Sequence, residues 1–131
     1  VPESAKKLRS QMIASDGFII ATPEYNSSFS AVLKNTIDWT SRVDGETPSR
    51  AAYKGKFVFL LSTSTGKFGG VRSVEMLRSI LENIGATVIS DFVSIPFAGE
   101  VFKESGLDIK EEDLDSIKNG CKNLIILLEN H

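Results

Sequence analysis

The chain of 131 residues reads as one α/β domain, a parallel sheet covered by helices. Three observations predict this. Apolar runs of strand length alternate with stretches of helical periodicity, in the order helix, strand, helix, strand, helix, strand, helix. The run Lys56-Phe57-Val58-Phe59-Leu60-Leu61-Ser62 is apolar nearly throughout, as a strand covered on both faces must be. Two of the strands run into turn-rich loops that open directly into helices, the arrangement that right-handed crossovers require.

Each element follows from local chemistry. A helix is expected from about Pro2 to Ala14: Pro2 suits the first turn, Glu3 complements the positive helix end, and Ala5, Leu8 and Met12 share a face. Asp16-Gly17 ends it, and Phe18-Ile19-Ile20-Ala21 forms a strand that delivers the chain to a loop, Thr22-Pro23-Glu24-Tyr25-Asn26-Ser27-Ser28. Ser28 or Ser30 can cap the next helix with a hydroxyl acceptor, and Val32, Leu33, Thr36, Ile37 and Thr40 are expected to face inward. The polar segment from Val43 to Pro48 reads as turns.

After the strand over Lys56–Ser62 comes a Gly-rich loop, Ser62 to Arg72, then a helix from about Gly70 to Ile84. Val74, Leu77, Ile80, Leu81 and Ile84 form its stripe, and Gly85 is placed as a C-terminal cap. Thr87–Ser90 and Phe92–Ile95 read as one interrupted strand at a sheet edge, ended by Pro96. A linker with Gly99 and Gly106 leads to a last helix, about Glu111 to Leu128, with Leu114, Ile117, Cys121, Leu124, Ile125 and Leu128 on one stripe.

Composition narrows the function classes. Hydrophobic residues make up 41% and charged residues 24%, ordinary for a globular domain. A net charge of −2 without a basic stripe gives no footprint for nucleic acid. No apolar window reaches the length of a membrane span, and the start shows no secretory pattern. The one cysteine, Cys121, cannot form an internal disulfide, which fits a cytoplasmic location, and its place on a helical stripe makes it a core residue. The one histidine, His131, is terminal, so neither a metal cluster nor a nucleophile–histidine pair can be assembled, and no catalytic side chain is expected.

Pro23-Glu24-Tyr25-Asn26, Ser28, Leu33-Lys34-Asn35 and Ile37-Asp38-Trp39, together with the loop Ser62-Thr63-Ser64-Thr65-Gly66-Lys67-Phe68-Gly69-Gly70-Val71-Arg72, resemble the signature of the NADPH-dependent FMN reductase family. The resemblance implies a flavodoxin-like three-layer α/β/α fold. It also implies FMN as cofactor and NADPH or NADH as co-substrate, with electrons passing to a quinone, azo compound, free flavin or metal oxyanion. Pro23, Glu24, Tyr25 and Asn26 would run along the isoalloxazine ring, mostly through backbone groups. Ser64, Thr65, Gly66, Phe68, Gly69 and Gly70 would hold its pyrimidine side, where glycines permit close backbone approach.

Beside these roles stand plainer ones: a turn with Tyr25 packed on the next helix, a simple strand-to-helix turn, and for Arg72 either a cofactor or subunit contact or a solvated position. Lys34, Asn35, Asp38 and Trp39 match the family as structural residues, with Trp39 a packing or interface anchor in a homodimer or homotetramer. The chain departs from the family where Ser28-Phe29-Ser30-Ala31 replaces Ser-x-Pro-Gly, placing Phe29 near the substrate side.

Flavodoxin-like domains have five parallel strands in the order 2-1-3-4-5; this chain supplies three strand candidates, and Phe18–Ala21 matches the third. The Gly-Ser-x-Arg type phosphate loop has no counterpart, since Leu8-Arg9-Ser10 lies within a helix. Residues 1–131 are therefore expected to be an N-terminally incomplete single domain, preceded in the natural protein by the missing strand–helix–strand. The rival expectations are a flavin-binding electron carrier without reductase activity, and a truncated scaffold that binds no flavin.

Overall fold

The computed structural model describes residues 1–131. Its centre is β3 (Phe57–Thr63), whose apolar side chains are covered on both faces. On one side β3 pairs in parallel with β1 (Gly17–Tyr25), in register from Gly17↔Phe57 to Pro23↔Thr63. On the other it pairs in parallel with β4 (Thr87–Ile95), through a register shift between Val58 and Leu60. The short strand β2 (Ser28–Phe29) folds back antiparallel on the end of β1, giving the sheet order β2-β1-β3-β4.

Helices cover both faces. Val58 and Leu60 of β3, with Phe18 and Ile20 of β1, pack against Ile37 of α2 (Ala31–Thr40) and Val74, Leu77 and Leu81 of α3 (Val71–Asn83). α1 (Glu3–Ala14) lies beside α2 and adds Met12 to this core. Phe59, Val93 and Ile95 pack on the opposite face against Leu124 of α5 (Glu111–Glu129), with Ile117 and Cys121 at its margin. α5 covers β3 and β4, while Ile19 on the same face of β1 stays 50% exposed. No helix is long and apolar enough to cross a membrane.

Several expectations are corrected. Thr22, Pro23, Glu24 and Tyr25, expected in a loop, continue β1, because parallel pairing with β3 extends through Pro23↔Thr63 and antiparallel pairing with β2 holds Glu24 and Tyr25. Proline is tolerated near that strand end because the ladder there does not need its missing N–H. The turn itself is Asn26-Ser27, with φ of 52° and 67°, the pair of left-handed residues that lets a two-residue hairpin match strand twist. Phe29, expected near the substrate side, is 8% exposed and belongs to the core beside Ile37 and Val74, because β2 turns its ring inward. Val32, expected inward, is 77% exposed; α2 presents Leu33, Ile37 and Thr40 to the sheet instead.

The segment after α2 also contributes core that periodicity did not signal. It brings Ala52 and Tyr53 under α2 and α3, and the Tyr53 hydroxyl lies 2.5 Å from Thr40 Oγ1. Burial pushes the Tyr53 phenol above its ordinary pKa, only partly opposed by that hydrogen bond. The expected linker holds a short helix α4 (Ala98–Val101) and a hairpin of β5 (Phe102–Lys103) with β6 (Gly106–Leu107). On α5, Leu114 and Ile125 are exposed rather than buried. Gly120 faces the sheet there, and a Cβ on it would lie 2.1 Å from the Phe59 ring.

Candidate functional site

At the carboxyl ends of the strands, three hydroxyls stand in one row across the sheet: Thr22 on β1, Ser62 on β3 and Ser94 on β4, paired as Thr22↔Ser62 and Ser62↔Ser94. Thr22 and Ser62 are buried and each anchors the chain that follows it. Thr22 Oγ1 donates to the Pro23 carbonyl at 2.8 Å and accepts from Ser30 N–H at 3.2 Å, tying the hairpin to the start of α2. Ser30 in turn caps α2, its Oγ accepting from Leu33 N–H at 3.2 Å. Ser62 Oγ donates to the Gly69 carbonyl at 2.8 Å and lies 2.8 Å from Ser94 Oγ, so it holds the far end of the Gly-rich loop down on the sheet.

Of these anchors only Ser30 was foreseen as a cap. Two hydroxyls ending apolar runs at the same distance from their loops were the available sequence signal, but their alignment requires the strand register.

The loop of residues 64–70 is fixed through its carbonyls. Ser64 O accepts from Ala98 N–H at 2.9 Å and Gly66 O from Phe97 N–H at 3.1 Å, while Ser64 N–H reaches the Ile95 carbonyl at 3.4 Å. By contrast, the backbone N–H groups of Thr65, Gly66, Lys67, Phe68, Gly69 and Gly70 donate to nothing within the chain. Gly69 and Gly70 have φ of 62° and 93°, and each lies where a Cβ would collide, with Ser94 and Ile95 for Gly69 and with Ser62 for Gly70. Both positions therefore require glycine, for space and for backbone conformation. Phe68 is exposed, with the Lys67 ammonium 5.1 Å and the Arg72 guanidinium 5.5 Å from its ring centre.

The first loop's residues separate. Pro23 lines a mainly apolar cavity of about 300 Å³ with Thr63, Ile95 and Phe102, at the mouth between β1 and β3. Tyr25 and Asn26 project at the exposed hairpin tip. Glu24 turns toward α3, where its Oε1 accepts from Ser73 N–H at 3.1 Å and Ser73 Oγ at 3.4 Å. Ser64, Thr65, Gly66 and Phe68 stand with Gly69 and Gly70 across the same end of the sheet. Trp39 is half-buried beside α1, with Pro2 and Leu8 nearby, and the Arg42 guanidinium 5.7 Å from its ring centre. Lys34 and Asp38 form an ion pair of 2.8 Å on the surface of α2.

This donor set suits a flat ring edged with acceptors. A mainly apolar recess, lined by Pro23, Thr63, Ile95 and Phe102, opens at the strand ends from which the loop of unengaged N–H groups departs, and glycines keep that loop's backbone accessible. The same set does not suit a phosphate at α3, because the Glu24 carboxylate already occupies that helix N-terminus. The first turn of α2 is served by Ser30, and that of α5 carries Glu111, Glu112 and Asp113.

The chain belongs to the NADPH-dependent FMN reductase family, whose model matches residues 1–100. It is 41% identical over 80 residues to an NAD(P)H-dependent FMN reductase of Pseudomonas aeruginosa, covering 61% of this chain and 40% of that one. A quinone reductase of Escherichia coli K12 is 34% identical over 118 residues, covering 88% of this chain and 60% of that one. The chain thus spans between 40% and 60% of the length of these two curated relatives. In structure it is similar to a flavoenzyme NAD(P)H:(acceptor) oxidoreductase of Paracoccus denitrificans, with a TM-score of 0.81 and 27% identity over 100% of this chain and 70% of that one. The α/β architecture is flavodoxin-like.

Proposed function

We propose, from its place in the NADPH-dependent FMN reductase family, that this chain holds the isoalloxazine ring of FMN between its two loops and serves an NAD(P)H-dependent oxidoreductase. The observation that carries the reading is the pairing Thr22↔Ser62, which sets both loops side by side at one end of the sheet, the second with a run of unengaged N–H donors. FMN, when bound, would supply the redox chemistry between a nicotinamide and a small-molecule acceptor.

The protein supplies position. Pro23 and Tyr25 would form one wall for the ring, and the unengaged N–H groups of residues 65–70 would donate to acceptor atoms at its edge. Asn26 and Ser64 through Gly70 belong to this proposed contact set, with Glu24 contributing backbone while its carboxylate serves α3. Quinones, azo compounds, free flavin and metal oxyanions are the acceptor classes, and NADPH or NADH is the donor. Residues 1–131 form part of one flavodoxin-like domain, cytoplasmic in location, that pairs into a homodimer or homotetramer through α2 and its exposed Val32.

The test is a visible spectrum of the purified protein, with the released cofactor identified, followed by addition of NADH or NADPH. Bound FMN that bleaches, and recovers when a quinone is added, is the expected result. FMN that binds but is not reduced would replace this reading with an electron carrier. A protein that takes up no FMN would leave a non-binding scaffold. Light scattering on the same sample checks the oligomer.

A further inference from the structure

We infer that Glu24 is a positioning residue that locks the two loops to each other by capping α3 from across the site. The contact spans 49 residues of sequence and joins the strand end before the hairpin turn to the helix that the Gly-rich loop enters. Ser73 is the third residue of α3 after its N-cap Gly70, so its N–H is one that the helix cannot satisfy internally. Gly70 has no side chain to act as cap, and no other side chain in the chain accepts from the first turn of α3. A residue of the first loop therefore completes the helix that fixes the end of the second.

The surroundings make this a lock rather than a surface contact. Glu24 is half-buried, Ser73 is fully buried, and Glu24 pairs with Phe29, whose ring is buried in the core against the same face of the sheet. On the other side Ser62 Oγ holds Gly69, immediately before α3 begins. The segment from Gly69 to Ser73 is thus pinned at one end by the sheet and at the other by the hairpin. Separation of the β1 end from the Gly69–Ser73 segment must displace Glu24 from Ser73.

The lock is independent of any ligand, while its consequence for FMN affinity rests on the functional reading above. Hydrogen exchange without cofactor tests it directly in wild type, Glu24→Ala and Glu24→Gln. Glu24→Ala should speed exchange in the first turn of α3 by about tenfold, with α5 unchanged, because an acceptor to a buried donor is lost. Glu24→Gln retains an acceptor oxygen and should restore most of the protection. Unchanged exchange in α3, a uniform rise across the whole chain, or a glutamine variant no better than alanine would each overturn the lock.

FMN titration then reads the coupling. Glu24→Ala should weaken FMN binding by about tenfold and Glu24→Gln by less. Tight binding by Glu24→Ala overturns the coupling while leaving the FMN reading intact. Wild-type protein that binds no FMN overturns the FMN reading, and the exchange data still decide the lock.

Discussion

The two loops leave neighbouring strands at the same level of the sheet, each held by a buried hydroxyl, yet they meet their backbone obligations in opposite ways. Residues 22–29 fold onto themselves: β1 runs on through Tyr25, turns at Asn26-Ser27 and returns as β2. Residues 64–70 form no strand or helix, and the N–H groups of residues 65–70 remain unengaged while the Ser64 and Gly66 carbonyls are tied to Ala98 and Phe97. One loop is a finished wall and the other an open set of donors. Donors can stay open because side chains and carbonyls, rather than the loop's own N–H groups, hold the loop in place.

Substitutions can break this contrast. The largest effect is expected at Gly69, where a Cβ would meet Ser94 and Ile95 backbone carbons at 2.7 and 2.8 Å with φ at 62°. Gly69→Ala should destabilise by about 3 kcal/mol in urea unfolding, from steric overlap and left-handed strain together. Gly66→Ala, whose Cβ would meet nothing nearer than 3.9 Å, should stay within about 0.5 kcal/mol. Equal losses would mean that the loop is not held where its carbonyl contacts place it.

The anchoring hydroxyls come next. Ser62→Ala removes the contacts to Gly69 and Ser94 and should cost about 2 kcal/mol. Thr22→Val keeps the shape but leaves Ser30 N–H without its acceptor, for about 1 to 2 kcal/mol. A marked inequality between them would show which loop depends more on its anchor. In the hairpin, Asn26→Ala should cost about 1 kcal/mol, because alanine resists the left-handed conformation that Asn26 adopts. Asn26→Gly should be close to neutral in the same unfolding assay.

The smallest effect lies away from both loops and serves as their control. Arg9 reaches from α1 to Asp44, 2.9 Å between guanidinium and carboxylate, and that hydrogen bond holds the Asp44 carboxyl below its ordinary 3.8. A depressed folded pKa stabilises the fold above the unfolded value and loses that contribution as pH falls through the folded one. Asp44→Asn should therefore flatten the acid limb of the stability curve below pH 3.8 slightly, without changing exchange in residues 64–73.

Much of the fold was legible because it rests on local pattern. The apolar run of β3, the stripe Val74, Leu77 and Leu81, and the strand β4 ended by Pro96, which is continuous with a register shift where an interruption was expected, each carry their structure within a few residues. The two loops were legible as candidates for the same reason: proline, asparagine and glycine advertise turns. Phe29 and Tyr53 were not legible as core. Each sits in a segment whose composition reads as loop and is buried by partners far along the chain, Val74 for the first and Thr40 with Phe18 for the second. Val32 misled in the opposite direction, since an apolar helix residue reports a preference for burial but not which side has a neighbour.

Sequence alone determined the alternation of elements, the family resemblance and the two loops, because periodicity and turn chemistry act over short range. Tertiary structure alone decided the row Thr22, Ser62 and Ser94, the unengaged N–H groups beside it, and the use of the Glu24 carboxylate as a helix cap. These depend on strand register and on contacts between residues 32 to 49 positions apart. No local pattern encodes such contacts; they exist once the strands have paired and the helices have packed across them.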